Sequence, residues 1–310
     1  MQGLRFFPST PTIDFIGARK VAYGIALFVV LGAFAAWAVK GFNFGIDFRG
    51  GYLIEGRFTE NVDLRDVREK LNTLDVGDVR LQALEKPTDI LIRAEMAKSG
   101  FTDEQVIASI KSVLGKNVTY RRVETVGPKV SETLVQGAIW SVIWAMLAML
   151  VYVWLRFEWQ FSVCGILALM HDCIGVLGFY AISHMEFNET AIIAILTTAG
   201  YSINDTVVIY DRIRENFRRF THTPMDKLVN QSINETLSRT MLTSGTTLLA
   251  LAALYIFGGE VISNFSLPII VGISLGTFSS ICVSALLLLF FDIDRDHFVA
   301  KEGSSSRTKV

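Results

Sequence analysis

Six runs of about twenty residues, uncharged or nearly so, constrain the fold of this chain more than any other feature. A bilayer's hydrocarbon core is roughly 30 Å thick, and a helix needs about 20 apolar residues to cross it. The runs lie at residues 21–40, 133–155, 161–183, 190–210, 239–257 and 265–291. Of the 310 residues, 51% are hydrophobic and 19% charged. An ordinary soluble domain has about 45–50% and roughly 25%. The average shift is modest, so the confinement of charge to blocks between the runs decides. An α-helical polytopic membrane protein with six transmembrane helices is expected, and a single soluble enzyme domain is excluded. The first run is too long for the core of a signal peptide, and no small-residue cleavage site follows it. It reads as a retained span.

Lys and Arg in short loops set the orientation. Segments 1–20, 211–238 and 292–310 carry Arg5, Arg19, Lys20, Arg212, Arg214, Arg218, Arg219, Lys227, Arg295, Lys301, Arg307 and Lys309, with Arg156 and Arg239 at span ends. The loops 184–189 and 258–264 contain neither Lys nor Arg. Both termini are therefore expected on the cytoplasmic side. Tyr152, Trp154 and Trp159 sit around the turn between spans two and three, as interfacial aromatics do. The segment 211–238 is expected to be helical and to lie along the cytoplasmic surface; the Ser-rich tail reads as disordered.

The loop 41–132 is outside and long enough for a small domain. Residues 51–58 alternate, with Tyr52, Ile54 and Gly56 opposite Leu53 and Glu55. Residues 63–74 place Leu64, Val67, Leu71 and Leu74 at helical spacing. Residues 78–84 and 89–93 read as a hairpin around Lys86-Pro87-Thr88. Thr102 and Gln105 form a capping-box sequence before a helical face of Val106, Ile107, Ile110, Val113 and Leu114. A β-rich run at 117–126 closes the segment. This strand–helix–strand–strand–helix–strand order matches a small α+β ferredoxin-like domain.

The formal net charge of −1 argues against a nucleic-acid binder. Cys164, Cys173 and Cys282 all lie in apolar runs, and no CxxC is present, so neither a disulfide framework nor a metal site is expected. GxSxG, HExxH and the P-loop pattern are absent. No enzyme chemistry and no cofactor is expected, and any energy source is the membrane gradient.

An ionisable group at the centre of a span costs about 2.5–3.5 kcal/mol on insertion scales, so the few present here stand out. They are His171, Asp172 and Asp205, with Arg239 at the edge of span five. Helical spacing puts Thr198, Tyr201 and Asp205 along one side of span four, with Thr197 and Asn204 beside it. That wedge reads as a proton-binding carboxylate, or else as a hydrogen-bonding anchor for helix packing. Arg239, Thr243, Thr246 and Thr247 form a second stripe. Arg239 is within reach of Asp205 if Asp205 lies about five residues from its helix end, or it snorkels as an anchor. His171 with Asp172 reads as a structural pair more than as a relay. Gly272 and Gly276 form GxxxG, a packing motif. The cluster from Asp211 to Arg219 reads as a solvated positive-inside patch, with a gating or lipid-headgroup role as the functional alternative.

Four motifs carry a family resemblance. They are the stretch from Gly200-Tyr-Ser-Ile-Asn-Asp-Thr206 through Asp211-Arg-Ile-Arg-Glu-Asn216, Phe42-Asn-Phe-Gly-Ile-Asp-Phe-Arg-Gly-Gly51, Val126-Gly-Pro-Lys-Val130, and Asn234-Glu-Thr-Leu-Ser-Arg-Thr240. With His171-Asp172, they make the chain resemble the SecD/SecF family of protein-export membrane proteins, of the resistance-nodulation-division (RND) type, over nearly its whole length. The resemblance implies an RND-type half-unit of six spans, with SecD as the other half. It implies association with the SecYEG translocon, YajC, preprotein substrate and membrane lipid in the bacterial inner membrane. It implies proton passage through Asp205 and Arg239, with Asn204, Tyr201, Thr243, Asp172 and His171 as further pathway candidates. A half-unit of a small-molecule or lipid exporter and a non-transporting assembly factor are the rival readings.

Overall fold

The computed structural model describes residues 11–60, 63–74, 79–84, 88–95, 102–115 and 118–291. In chain order the elements are α1 (Arg19–Lys40), β1 (Gly51–Phe58), α2 (Leu64–Asn72), β2 (Val79–Ala83), β3 (Asp89–Ala94), α3 (Asp103–Leu114), β4 (Val118–Val126), α4 (Pro128–Arg156), α5 (Trp159–Ser183), α6 (Glu189–Arg219), α7 (Met225–Phe257) and α8 (Gly259–Ser279). The last helix continues through a π-helical turn, Ser280–Ser284, and ends in a 3-10 turn at Leu288–Phe290. Asp78, Lys86, Pro87, Asn117, Arg5 and the tail 292–310, with Arg295, Lys301, Arg307 and Lys309, lie outside the described residues.

Among the described residues six helices are long and apolar enough to cross a membrane. A helix satisfies its own backbone polar groups, and hydrocarbon demands that. The chain divides into two units. One holds α1, α5, α7, α8, nearly all of α6 and the later part of α4; the other holds the sheet, α2, α3 and the first part of α4.

In the sheet unit the strands lie in the order β2-β3-β1-β4, each neighbouring pair antiparallel. This is the ferredoxin-like arrangement. Alternation in β1 sends Tyr52, Ile54 and Phe58 to the helix-covered face, where they meet Val67 and Leu71 of α2 and Val106 and Ile110 of α3. Tyr52 donates a hydrogen bond to Asp103 at 2.8 Å. The capping box is formed, with the Gln105 side chain accepting from the Thr102 backbone N–H at 3.0 Å. Gly50 and Gly51 sit at φ +73 and +125, and a Cβ on Gly51 would collide with the carbonyl of Ala94. Only glycine opens β1 this close to β3. On the opposite face Arg57 makes a bidentate pair with the buried Asp89, both contacts 2.7 Å. That guanidinium holds the Asp89 carboxyl down at about 2.

In the membrane unit α1 packs on α5, α5 on α8, and α7 on α8. The GxxxG of α8 serves this packing. A Cβ on Gly272 would overlap the side chain of Thr198, and one on Gly276 would lie 3.0 Å from Ser202 Cβ. Residues 211–238 are not a separate surface helix. They are continuations of α6 to Arg219 and of α7 from Met225, joined by a short turn. The reason is a shared apolar face: Ile213 and Phe217 on one arm and Leu228, Val229, Ile233 and Leu237 on the other are buried in one cluster. Residues 13–15 are tied to the second arm. Ile13 exchanges hydrogen bonds with the Asn234 amide at 2.8 and 2.9 Å, and Phe15 N–H donates to Asn230 at 2.8 Å.

Candidate functional site: two buried carboxylates

Asp172 on α5 is fully buried. Its Oδ1 lies 3.0 Å from His171 Nδ1. Its Oδ2 accepts hydrogen bonds from Ser202 on α6 at 2.5 Å and from Ser279 on α8 at 2.6 Å. One carboxylate therefore joins three helices. The His171 Nε2 is buried and has no hydrogen-bond partner among the described residues.

Asp205 on α6 is 3% exposed. Its Oδ2 accepts from Ser244 on α7 at 3.2 Å, and Ser244 accepts from Thr277 on α8 at 2.8 Å. A further hydroxyl pair, Thr206 and Ser280, 2.9 Å apart, joins α6 to the end of α8. Ser280 also donates to the backbone carbonyl of Ser202 at 3.1 Å. Ser280 opens the π-helical turn of α8, which adds a residue to the turn. Such turns recur at functional sites. Tyr201 pairs with Thr247 of α7 at 3.0 Å.

Of the residues expected to act together, the fold brings Asp172, His171, Asp205 and Tyr201 to helix interfaces. It turns Asn204 and Arg239 outward, where both are exposed, and Thr243 spends its hydroxyl on the carbonyls of Arg239 and Thr240. No ion pair links Arg239 to Asp205: Ser244 occupies that position instead. Arg239 is five residues from Ser244, a rotation of about 140° around α7, so Ser244 bonds the carboxylate directly while Arg239 acts on it only as a nearby charge. The helix end is no guide to depth either, because α6 runs on to Arg219.

Ser202, Thr206, Ser244, Thr277, Ser279 and Ser280 complete the site and were not legible as such. Polar residues clustered in an apolar run, above all Ser279-Ser280, were the available signal. Ser202 bonds a carboxylate rather than an imidazole nitrogen, so the serine–histidine contact of nucleophilic catalysis is missing. Among the described residues no group of three or more His, Cys, Asp or Glu side chains is placed to hold a metal ion. What the arrangement offers is two protonatable carboxylates, lined by hydroxyls that donate or accept and, at Asp172, by an imidazole, with no Lys or Arg at ion-pair distance among the described residues.

Two family models match the chain: "Protein export membrane protein SecD/SecF, C-terminal" over residues 105–294 and "SecD/SecF GG Motif" over residues 35–62. The second covers Gly50 and Gly51. A protein translocase subunit SecF from Cereibacter sphaeroides is 39% identical over 302 residues, covering 94% of this chain and 93% of that one. Another from Rickettsia felis is 42% identical over 291 residues, covering 93% and 94%. The crystal structure of SecDF, a translocon-associated membrane protein from Thermus thermophilus, superposes with a TM-score of 0.83 at 36% identity. It covers 92% of this chain, which spans 39% of the SecDF chain. SecDF in its super-membrane-facing form gives 0.65 at 34% identity.

Proposed function

Because the chain belongs to the SecD/SecF family of protein-export membrane proteins, on its SecF side, we propose that its two buried carboxylates couple proton passage to preprotein movement. Its role is in Sec-dependent protein translocation, and its partner is a SecD half. We assign it no enzymatic activity of its own. The SecYEG channel, YajC and the preprotein are the further partners this reading requires. The bacterial inner membrane is its location, with both termini cytoplasmic, as the distribution of Lys and Arg supports.

One observation carries the proton reading: Asp205 and Asp172 are buried between membrane helices with hydroxyls and, at Asp172, the His171 imidazole at their oxygens, and with no Lys or Arg at ion-pair distance among the described residues. A charge there is costly, and binding a proton removes it. Loss of the proton from Asp205 calls for a counter-charge, which Arg239 supplies if α7 turns about its axis. Moving one charge across 100 mV releases about 2.3 kcal/mol, enough to bias such a rearrangement. The test is preprotein translocation into vesicles with and without a proton gradient. Wild type is compared with Asp205→Asn at matched levels of the chain and its SecD partner. Gradient stimulation is expected to vanish in the variant; normal stimulation would sink the proposal.

A second reading applies to Asp172. Its contacts to α6 and α8 favour a clamp, the role a stabilising factor of the translocon would need. A small-molecule exporter is not favoured. Among the described residues of the sheet unit, a cleft lined by Ile46, Arg49, Arg80 and Arg93 holds about 30 Å³, room for a water rather than a lipid or drug.

A further inference from the structure

We propose that the cleft where the C-terminal end of α4 meets the C-terminal end of α6 binds the phosphate of an anionic phospholipid headgroup. The cleft measures about 600 Å³ and is lined by Arg156, Asp211, Arg214, Glu215, Arg218 and Arg219. Its carboxylates are already engaged. Asp211 accepts from Arg156 at 2.6 Å, and Glu215 accepts from Arg212, outside the cleft, at 2.6 Å. Arg214 donates to the Arg156 carbonyl at 3.0 Å and lies 3.7 Å from Glu158, while its Nε is buried with no hydrogen-bond partner among the described residues. Arg218 and Arg219 have no carboxylate at ion-pair distance among the described residues and are exposed. Positive charge is thus left over. The carbonyls ending α4 and α6 offset about half an elementary charge each, less than the two guanidiniums of Arg218 and Arg219 supply.

Guanidinium forks match phosphate oxygens two at a time, which favours a phosphate over a simple halide. The level in the membrane fits a headgroup. Tyr152, Trp154 and Trp159, which bracket Arg156, are 53%, 62% and 56% exposed, as residues of an interfacial aromatic belt are. A run of basic residues on one helix is by itself a solvated patch. What changes that reading here is convergence: Arg156 arrives from a second helix, and the four guanidiniums border one cavity.

The assay is native mass spectrometry of the full chain with its SecD partner. Phosphatidylglycerol is added, or phosphatidylcholine with the same acyl chains. The variant is Arg218→Ala/Arg219→Ala, whose side chains lie outside the core; its lipid-free thermal midpoint is expected to match wild type. Phosphatidylglycerol retention is expected to fall about thirtyfold in the variant, roughly fivefold for each basic residue at an anionic surface. Phosphatidylcholine is expected to bind both proteins weakly and alike. Equal retention of phosphatidylglycerol by the two proteins would overturn the proposal. So would equal retention of the two lipids by wild type, or release of phosphatidylglycerol by millimolar inorganic phosphate, which would mark a free-anion site. The readout is binding, so its failure is distinct from failure of the proton reading.

Discussion

At Asp172 the number of hydrogen bonds, more than the charge, decides what a substitution does. Ser202 and Ser279 both donate to Oδ2. In Asp172→Asn the amide oxygen can take the Oδ2 position and still accept from both serines, with its NH2 turned to the His171 side. Asp172→Leu strands the buried Ser202 hydroxyl, at about 1–3 kcal/mol for an unsatisfied group, and leaves Ser279 only the carbonyl of Gly276. The Asn variant is expected to assemble at wild-type levels and the Leu variant to fall well below them, read as SecD-associated chain in membranes. Equal levels would show that the clamp does not matter. Asp89, outside the membrane, gives a prediction in pH. Its carboxyl is held at about 2 against an ordinary 3.8, first by the hydrogen bonds from Arg57. A depressed carboxyl stabilises the fold above the ordinary value and loses that contribution as pH falls towards 2. Asp89→Asn is therefore expected to lower the thermal midpoint of the sheet unit at pH 7, with the gap closing between about pH 4 and pH 2. A gap that persists at pH 2 would assign the effect to packing.

Elements were more legible in the sequence than their contacts, for physical reasons. A span announces itself because every residue in it faces the same solvent, and length alone then suffices. The sheet unit was legible through period-two alternation at Tyr52 and Ile54 and helical spacing at Val67 and Leu71. Asp172 and Asp205 stood out because a carboxylate in hydrocarbon is expensive. The hydroxyls did not. Thr277 and Ser279 also bond carbonyls of their own helix, Ile273 and Gly276, so such residues are cheap in a span whether or not a partner exists. Reach along the helix axis did not show that Ser244, and not Arg239, bonds Asp205 directly. The helix contact that positions the hydroxyls is testable. Gly272 lets α8 approach Thr198, so Gly272→Leu overpacks that seam at about 1–3 kcal/mol or more and moves Ser279 away from Asp172. A lower thermal midpoint of the purified complex is expected, with a smaller loss for Gly272→Ala. An unchanged midpoint in Gly272→Leu would show the seam to be loose.

For the whole molecule, proton passage is useful only if a change among the membrane helices reaches the sheet unit. α4, from Pro128 to Arg156, is the helix that gives several turns to each unit without a break, whereas α6 gives the sheet unit only Glu189. Each unit has its own apolar core, so a local break in α4 leaves both able to fold. A helix transmits displacement, whereas glycines in it add backbone freedom at about 1 kcal/mol each and let the two parts move separately. Two glycines inserted after Glu132, before the apolar run, are therefore expected to leave assembly with SecD and both folds intact. Gradient-stimulated translocation is expected to fall towards the level without a gradient. Asp205→Asn in the same background should then add nothing further, since both changes interrupt one chain of events. Stimulation that survives the insertion would mean that α4 carries no displacement, leaving the end of α1 at Lys40 and residues 186–189, between α5 and α6, as the other covalent connections to the sheet unit.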